Sequence, residues 1–288
     1  MLELADGRAL GYDDVGDRSG TPVVYLHGTP DSRLARHPDD GLATRAGVRL
    51  LAVDRPGYGR SSPVHALDPG GDLAGRLVAL LDALAIDRVG LLAWSGGALA
   101  AFEAAAAPAL AERVTTLHIV AGVVPREAYD EPSVRHAGRG RLEMIELADQ
   151  LPSGELANAV APLVAPYPCD LPLAAEHQRA QRSDADQAAL MRVPGAIEQL
   201  ARALVEAVRA GLAGVRSDVE AQTRRDAVDL ARIRVPVQLW YGSRDTVTPS
   251  RFGSWYVERL PEAKLHVIEG AGHYLPCTHW DDLLRALA

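Results

Sequence analysis

Three stretches of this chain hold residue types that together could break a carbonyl bond by nucleophilic attack. The first reads Leu91-Leu92-Ala93-Trp94-Ser95-Gly96-Gly97-Ala98-Leu99-Ala100, a buried-type apolar run, a turn and a helix-forming run. Ala93 lies two residues before Ser95, and Gly96 and Gly97 follow it. A serine raised on a sharp strand-to-helix turn sits in strained backbone geometry, and strand and helix approach closely only if its neighbours are small. It also stands at a helix N-terminus, where free N–H groups and the helix dipole favour an anion. The pattern is Ala-x-Ser-x-Gly, with the next smallest residue in place of a first glycine. A plain Ser-Gly-Gly helix cap would read the same locally; the flanking strand and helix favour a nucleophile.

An attacking serine needs a base and an acid that orients it. After the apolar run 235–241 comes Tyr241-Gly242-Ser243-Arg244-Asp245-Thr246-Val247-Thr248-Pro249, and after the run 264–268 comes Glu269-Gly270-Ala271-Gly272-His273-Tyr274-Leu275-Pro276. Both are turns at carboxyl ends of strands, the edge where parallel sheets gather their ligands. Asp245 would also serve as a helix cap before Pro249. Of the other histidines, His118 and His266 fall inside predicted strands and His279 opens the last predicted helix. His37, His65, His136 and His177 lack a matching turn, and His27 belongs to an earlier one. His273 alone has glycines before it at a strand end. Trp94 either faces a substrate pocket or packs beneath the turn, Tyr274 is a second candidate for the pocket wall, and Cys277 reads as a packed thiol.

The elements that must position these groups alternate. Residues 2–4 and 8–14 read as a hairpin around Asp6-Gly7. Buried-type strands follow at 22–26, 49–53, 88–93 and 114–120, separated by helical patterns at 33–46, 70–85 and 97–107. From 124 to 232 the sequence is helical in composition, with an apolar stripe through Ile197, Leu200, Leu204, Val208 and Leu212. Strand character returns at 235–241 and 264–268, with helices at 249–259 and 279–287. The pattern predicts a doubly wound, mostly parallel α/β sheet of eight strands, its core being 1–123 and 233–288 and its insertion, 124–232, a helical lid. The Pro-rich stretch 162–172 reads as a connection between lid helices. Arg224-Arg225, beside Glu220 and Asp226, reads as a solvated face.

Leu26-His27-Gly28-Thr29-Pro30 after one strand, Asp54-Arg55-Pro56-Gly57-Tyr58-Gly59-Arg60-Ser61-Ser62 after the next, and then the serine turn resemble the α/β-hydrolase superfamily. The resemblance covers the sheet portion and stops at the lid. It implies the order Ser95, Asp245, His273 for the triad. It also implies an oxyanion hole made by the backbone N–H groups of Gly96 and Thr29, with His27 and Asp54 shaping loops. A serine nucleophile disfavours the haloalkane and epoxide branches, which use a carboxylate. The implied activity is hydrolysis of a small or medium ester, thioester, lactone or amide through an acyl-enzyme on Ser95. Two alternatives use the same triad: carbon–carbon bond hydrolysis, and proline-iminopeptidase-like action with Glu143 or Glu146 holding an amine. A further one is a non-turnover small-molecule binding protein on a hydrolase scaffold.

The bulk properties fit. The chain has 288 residues, 48% hydrophobic and 24% charged, long enough to bury a core without metal or disulfide staples. A net charge of −8 argues against nucleic acid or an anionic membrane surface as partner. Two distant cysteines and an opening without a basic, then apolar, leader lead us to expect a cytoplasmic protein with reduced thiols. No His-Glu-x-x-His, phosphate loop or dinucleotide fingerprint is present, so no metal or nucleotide cofactor is expected.

Overall fold

The computed structural model describes residues 1–63, 73–180, 182–223 and 228–288. His65, the pair Arg224-Arg225 and the first residues of the expected helix 70–85 lie outside them. The strands are β1 (Leu2–Glu3), β2 (Ala9–Leu10), β3 (Tyr12–Gly16), β4 (Thr21–Leu26), β5 (Val48–Val53), β6 (Val89–Trp94), β7 (Val114–Val120), β8 (Val237–Gly242) and β9 (Ala263–Ile268). Seven of them form one sheet in the order β3-β5-β4-β6-β7-β8-β9, and β1 and β2 pair separately. Only β3 runs antiparallel in that sheet, against β5.

The sheet thus has seven strands where eight were expected, because the run 8–14 is broken at Gly11. A side chain there would meet Asp54 Oδ2 at 2.6 Å and Arg60 Cβ at 2.8 Å. The chain bends around that crowded point, so β2 turns away to pair with β1 while β3 joins the sheet. The expected helix 33–46 also shrinks, to Gly41–Arg45. Its first half stays irregular because Arg33 and Arg36 turn inward to carboxylates, Arg33 Nη1 lying 2.7 Å from Asp54 Oδ2 and Arg36 Nη1 3.4 Å from Asp13 Oδ2.

Successive strand residues serve opposite faces. Val24, Leu26, Leu91 and Ala93 pack with Leu77, Phe102 and Phe252 from helices on one side. Val23, Tyr25, Leu92 and Trp94 pack with Trp280, Leu284 and Leu200 on the other. Both faces are therefore covered, as near-continuous apolar strands require. In register, Leu26 lies beside Ala93, Trp94 beside Val120, and Val120 beside Trp240. The loops that follow β4, β6, β7, β8 and β9 consequently leave the sheet at one rim.

Between β7 and β8 the described residues form helices only, among them Leu142–Ala148, Ser153–Val164, Leu171–Ala180, Asp184–Leu190, Ala196–Ala207 and Ala213–Thr223. The apolar stripe expected over 196–213 spans a helix that stops at Ala207, before Gly211 takes φ = 109°. No helix among the described residues is long and apolar enough to cross a membrane.

A tight seam joins the end of β4 to the helix Gly97–Ala106. A Cβ on Gly97 would stand 2.6 Å from the carbonyl oxygen of His27 and 2.8 Å from that of Leu26. Backbone cannot yield as a flexible side chain does. Gly97→Val should therefore cost about 1–3 kcal/mol, measured by urea denaturation, and an unchanged midpoint would contradict this packing.

Candidate active site

Ser95 occupies the turn between β6 and the helix Gly97–Ala106 with φ = 52°, a left-handed conformation uncommon outside glycine. Its N–H donates to the Val120 carbonyl at 2.9 Å, and its own carbonyl accepts from Ala98 and Val123. The turn is held from three sides. A Cβ on Gly96 would reach 2.1 Å from Thr29 Oγ1, so that residue has room only as glycine.

His273 and Asp245 arrive at the same rim after β9 and β8. Ser95 Oγ lies 3.1 Å from His273 Nε2, and His273 Nδ1 lies 2.8 Å from Asp245 Oδ2. Asp245 is fastened in turn: its Oδ1 accepts from the N–H groups of Val247 (2.8 Å) and Thr248 (2.9 Å). Thr248 Oγ1 donates to Oδ2 at 2.8 Å. Burial alone would raise this carboxyl, but the imidazole and the Thr248 donors outweigh it and hold the pKa below its ordinary value. An ionised, acceptor-only carboxylate beside Nδ1 fixes the tautomer with Nδ1–H donating and Nε2 free to accept. Asp245 does not cap the helix Ser250–Val257, whose N-cap is Pro249 with no side-chain hydrogen bond; one oxygen binds the turn before that helix and the other the imidazole.

Trp94 combines both of its readings. It is 2% exposed and its Nε1–H donates to the His273 carbonyl at 3.1 Å, while the ring also borders the cavity above Ser95. Tyr274 lines that cavity too. Cys277 is buried, and burial pushes its thiol up to about 12, so it is an inert packing group.

Thr29 touches Gly96 and belongs to a buried network that sequence reading missed. Arg55 places Nη1 at 2.5 Å and Nη2 at 2.7 Å from the two oxygens of Asp218, which sits on the helix Ala213–Thr223. Tyr58 Oη (2.5 Å) and the Thr29 hydroxyl donate to the same carboxylate. Arg55 also donates to the carbonyls of His27 and Gly28, each at 3.0 Å. His27 Nδ1–H donates to its neighbour's carbonyl (2.8 Å), and Nε2 accepts from the Arg55 N–H (3.0 Å). Burial and the Arg55 charge push that ring far below its ordinary pKa, so it stays neutral. Asp54 accepts from the N–H groups of Arg33 (2.8 Å) and Arg60 (3.0 Å). Both residues build loops.

A second tie reaches down to the histidine. Asp186, on the helix Asp184–Leu190, accepts the backbone N–H of His273 at 2.8 Å. No sequence signal marked Asp218 or Asp186: Arg216, Ser217 and Glu220 surround the one, Asp184 and Gln187 the other, and their burial shows only in the fold.

Above Ser95 lies a cavity of about 350 Å³, small for an enzyme pocket. The sheet rim supplies Gly28, Asp31, Trp94 and Val247; the insertion supplies Arg141, Leu163, His177 and Gln222. Leu163, 77% exposed, and Val247, 37% exposed, mark its mouth. Asp31 is buried with Oδ1 unpartnered, and burial pushes its carboxyl up to about 8 against the pull of Arg182 and Arg55. Glu143 and Glu146, the acids considered for holding an amine, are exposed and absent from the cavity wall. His177, unassigned by sequence, is on it.

A serine on a strained strand-to-helix turn, backed by imidazole and carboxylate at the C-terminal rim of a doubly wound sheet, defines an α/β hydrolase. The chain belongs to the alpha/beta hydrolase family, whose model matches residues 23–286. It is 32% identical over 272 residues to the pimeloyl-[acyl-carrier protein] methyl ester esterase of Chromobacterium violaceum, covering 93% of each chain. It is 27% identical over 284 residues to a 2-hydroxy-6-oxononadienedioate/2-hydroxy-6-oxononatrienedioate hydrolase 2 of Pseudomonas putida, covering 96% of this chain and 89% of that one. An alpha/beta hydrolase fold protein from Nakamurella multipartita superposes with a TM-score of 0.64 at 25% identity, covering 100% and 99%. The protein is a hydrolase of the ester-cleaving kind, and the reading as a binding protein without turnover drops out.

Two measurements follow from these charges. Asp218→Ala strands the Arg55 guanidinium in the interior and should lower stability by about 3–5 kcal/mol in urea melts, with Asp218→Asn milder. For Asp31, the folded chain keeps a proton that the unfolded chain surrenders near 3.8, so this group drains stability as pH rises from there toward about 8. Asp31→Asn should gain on the parent across that window and level off above it; parallel curves in urea melts against pH would refute the burial effect.

Proposed function

We propose that this chain cleaves a small carboxylic ester through an acyl-enzyme on Ser95, beneath a lid formed by residues 124–232. The observation that carries the reading is the hydrogen-bonded succession Ser95, His273, Asp245 opening into a small cavity. Ser95 Oγ attacks the carbonyl carbon as His273 Nε2 takes its proton. Asp245 stabilises the imidazolium and is not itself protonated. The N–H groups of Gly96 and Thr29 receive the developing oxyanion, each donor supplying about 2.7–4 kcal/mol to the transition state. His273 then gives its proton to the departing alkoxide. Water, deprotonated by the same imidazole, attacks the acyl carbon and frees Ser95. Trp94 and Tyr274 wall the pocket.

A second reading, hydrolysis of a carbon–carbon bond beside a ketone, draws on the basic groups Arg141 and His177 that the insertion brings to the wall. The absence of Glu143 and Glu146 from that wall removes the support for an aminopeptidase.

A fluorophosphonate should label Ser95 covalently, and p-nitrophenyl acetate should be turned over. Ser95→Ala should abolish the label and cut kcat by about 10⁴-fold or more, with His273→Ala comparable. Neither labelling nor turnover in the parent would reject the ester reading; cleavage of a vinylogous diketone without ester turnover would favour the second.

A further inference from the structure

The cavity has one cationic pole. Arg141 ends the 3₁₀ turn Arg139–Arg141 and borders the cavity, and it makes no ion pair with any described residue. Its Nη2 donates to Gln222 Oε1. A guanidinium can only donate, so the amide oxygen must face it and the amide nitrogen must face away. That nitrogen lies beside the serine turn, 3.3 Å from where a Cβ on Gly96 would stand. Arg141 and Gln222 therefore present donors, a formal positive charge and no acceptor, next to the reacting centre.

The surrounding charges do not cancel this pole. Asp218 acts on Arg141 from a distance, but its oxygens are taken by Arg55, Tyr58 and Thr29. Asp31 is the one carboxyl among the described lining residues, and burial keeps it largely protonated at neutral pH. His177 is held through Nε2 by the Val164 carbonyl at 3.1 Å. The chain as a whole carries −8, so any preference for an anion must arise locally.

We propose that the Arg141–Gln222 pole receives a carboxylate carried by the substrate, so that half-esters of dicarboxylic acids are preferred over neutral esters of equal length. A planar guanidinium beside an amide donor matches the two oxygens of a carboxylate, and such charge-assisted bonds are strong where water is scarce. The cavity's size favours a short spacer between ester and carboxylate. For its chemistry the inference rests on the ester-hydrolase reading; its specificity rests on these two residues.

The test compares monomethyl succinate, glutarate and adipate with the methyl alkanoates of equal chain length, followed by pH-stat titration. In the parent, at least one half-ester should exceed its neutral counterpart about tenfold or more in kcat/KM, mainly through KM. Arg141→Gln should erase that ratio and Arg141→Lys should retain part of it. No preference in the parent overturns the proposal, and so does a preference that survives Arg141→Gln. An equal fall in kcat for both ester classes also overturns it, since Arg141 would then act on the oxyanion. Should Arg141→Gln fail to fold, calorimetry on Ser95→Ala decides: monomethyl glutarate should bind about tenfold or more tightly than methyl valerate, and equal binding refutes the pole. Selective binding there with no ester turnover by the parent would sink the hydrolase reading and leave the carboxylate site standing.

Discussion

Backbone crowding beneath Ser95 is the constraint on which the rest of the structure depends. A non-glycine residue at φ = 52° costs on the order of 1–2 kcal/mol and persists only where its surroundings leave no alternative. Here they leave none. The turn's N–H is committed to Val120 of β7 and its carbonyl to Ala98 and Val123, and Thr29 closes on Gly96 from above. Had the turn relaxed, Oγ would swing away from His273 and the helix behind Gly97 would back off from β4. The position of Ser95 is thus set by the packing of the central sheet around it.

The insertion completes what the sheet begins. Two aspartates from its helices reach down, Asp218 to the Arg55 guanidinium beside Thr29 and Asp186 to the backbone of His273. One steadies the loop over the expected oxyanion position, the other the loop carrying the base. The described helices between β7 and β8 therefore help to hold the loops that carry Thr29 and His273. The same helices bring Arg141, His177 and Gln222 to the cavity wall, which the sheet alone would leave nearly without charge.

What could be read from sequence followed local geometry. Ser95, Asp245 and His273 each sit on a turn after a strand, and a turn advertises itself through small residues and a change of periodicity. The strands β4 to β8 were visible as apolar runs because both of their faces are covered, and β9, the edge strand with no buried residue, as a mixed run. The break at Gly11 was not visible, since its cause, the approach of Asp54 and Arg60, lies in another loop. Arg55 stood within a recognised motif, yet its role depends on Asp218, separated from it by 163 residues. Arg141 and Gln222 meet across 81 residues with no shared pattern. Contacts of that kind are tertiary, and no window of sequence contains both partners.

The two aspartate ties also govern how molecules come and go. Swinging the helices aside like a door would part Asp218 from Arg55 and Asp186 from the His273 backbone, giving up both ties at once. The exposed side chains of Leu163 and Val247, at the edge of the cavity, offer a way in that leaves both ties intact. That edge is greasy, while the wall also carries the Arg141 guanidinium. A molecule with an oily part and an acidic part therefore finds a surface for each.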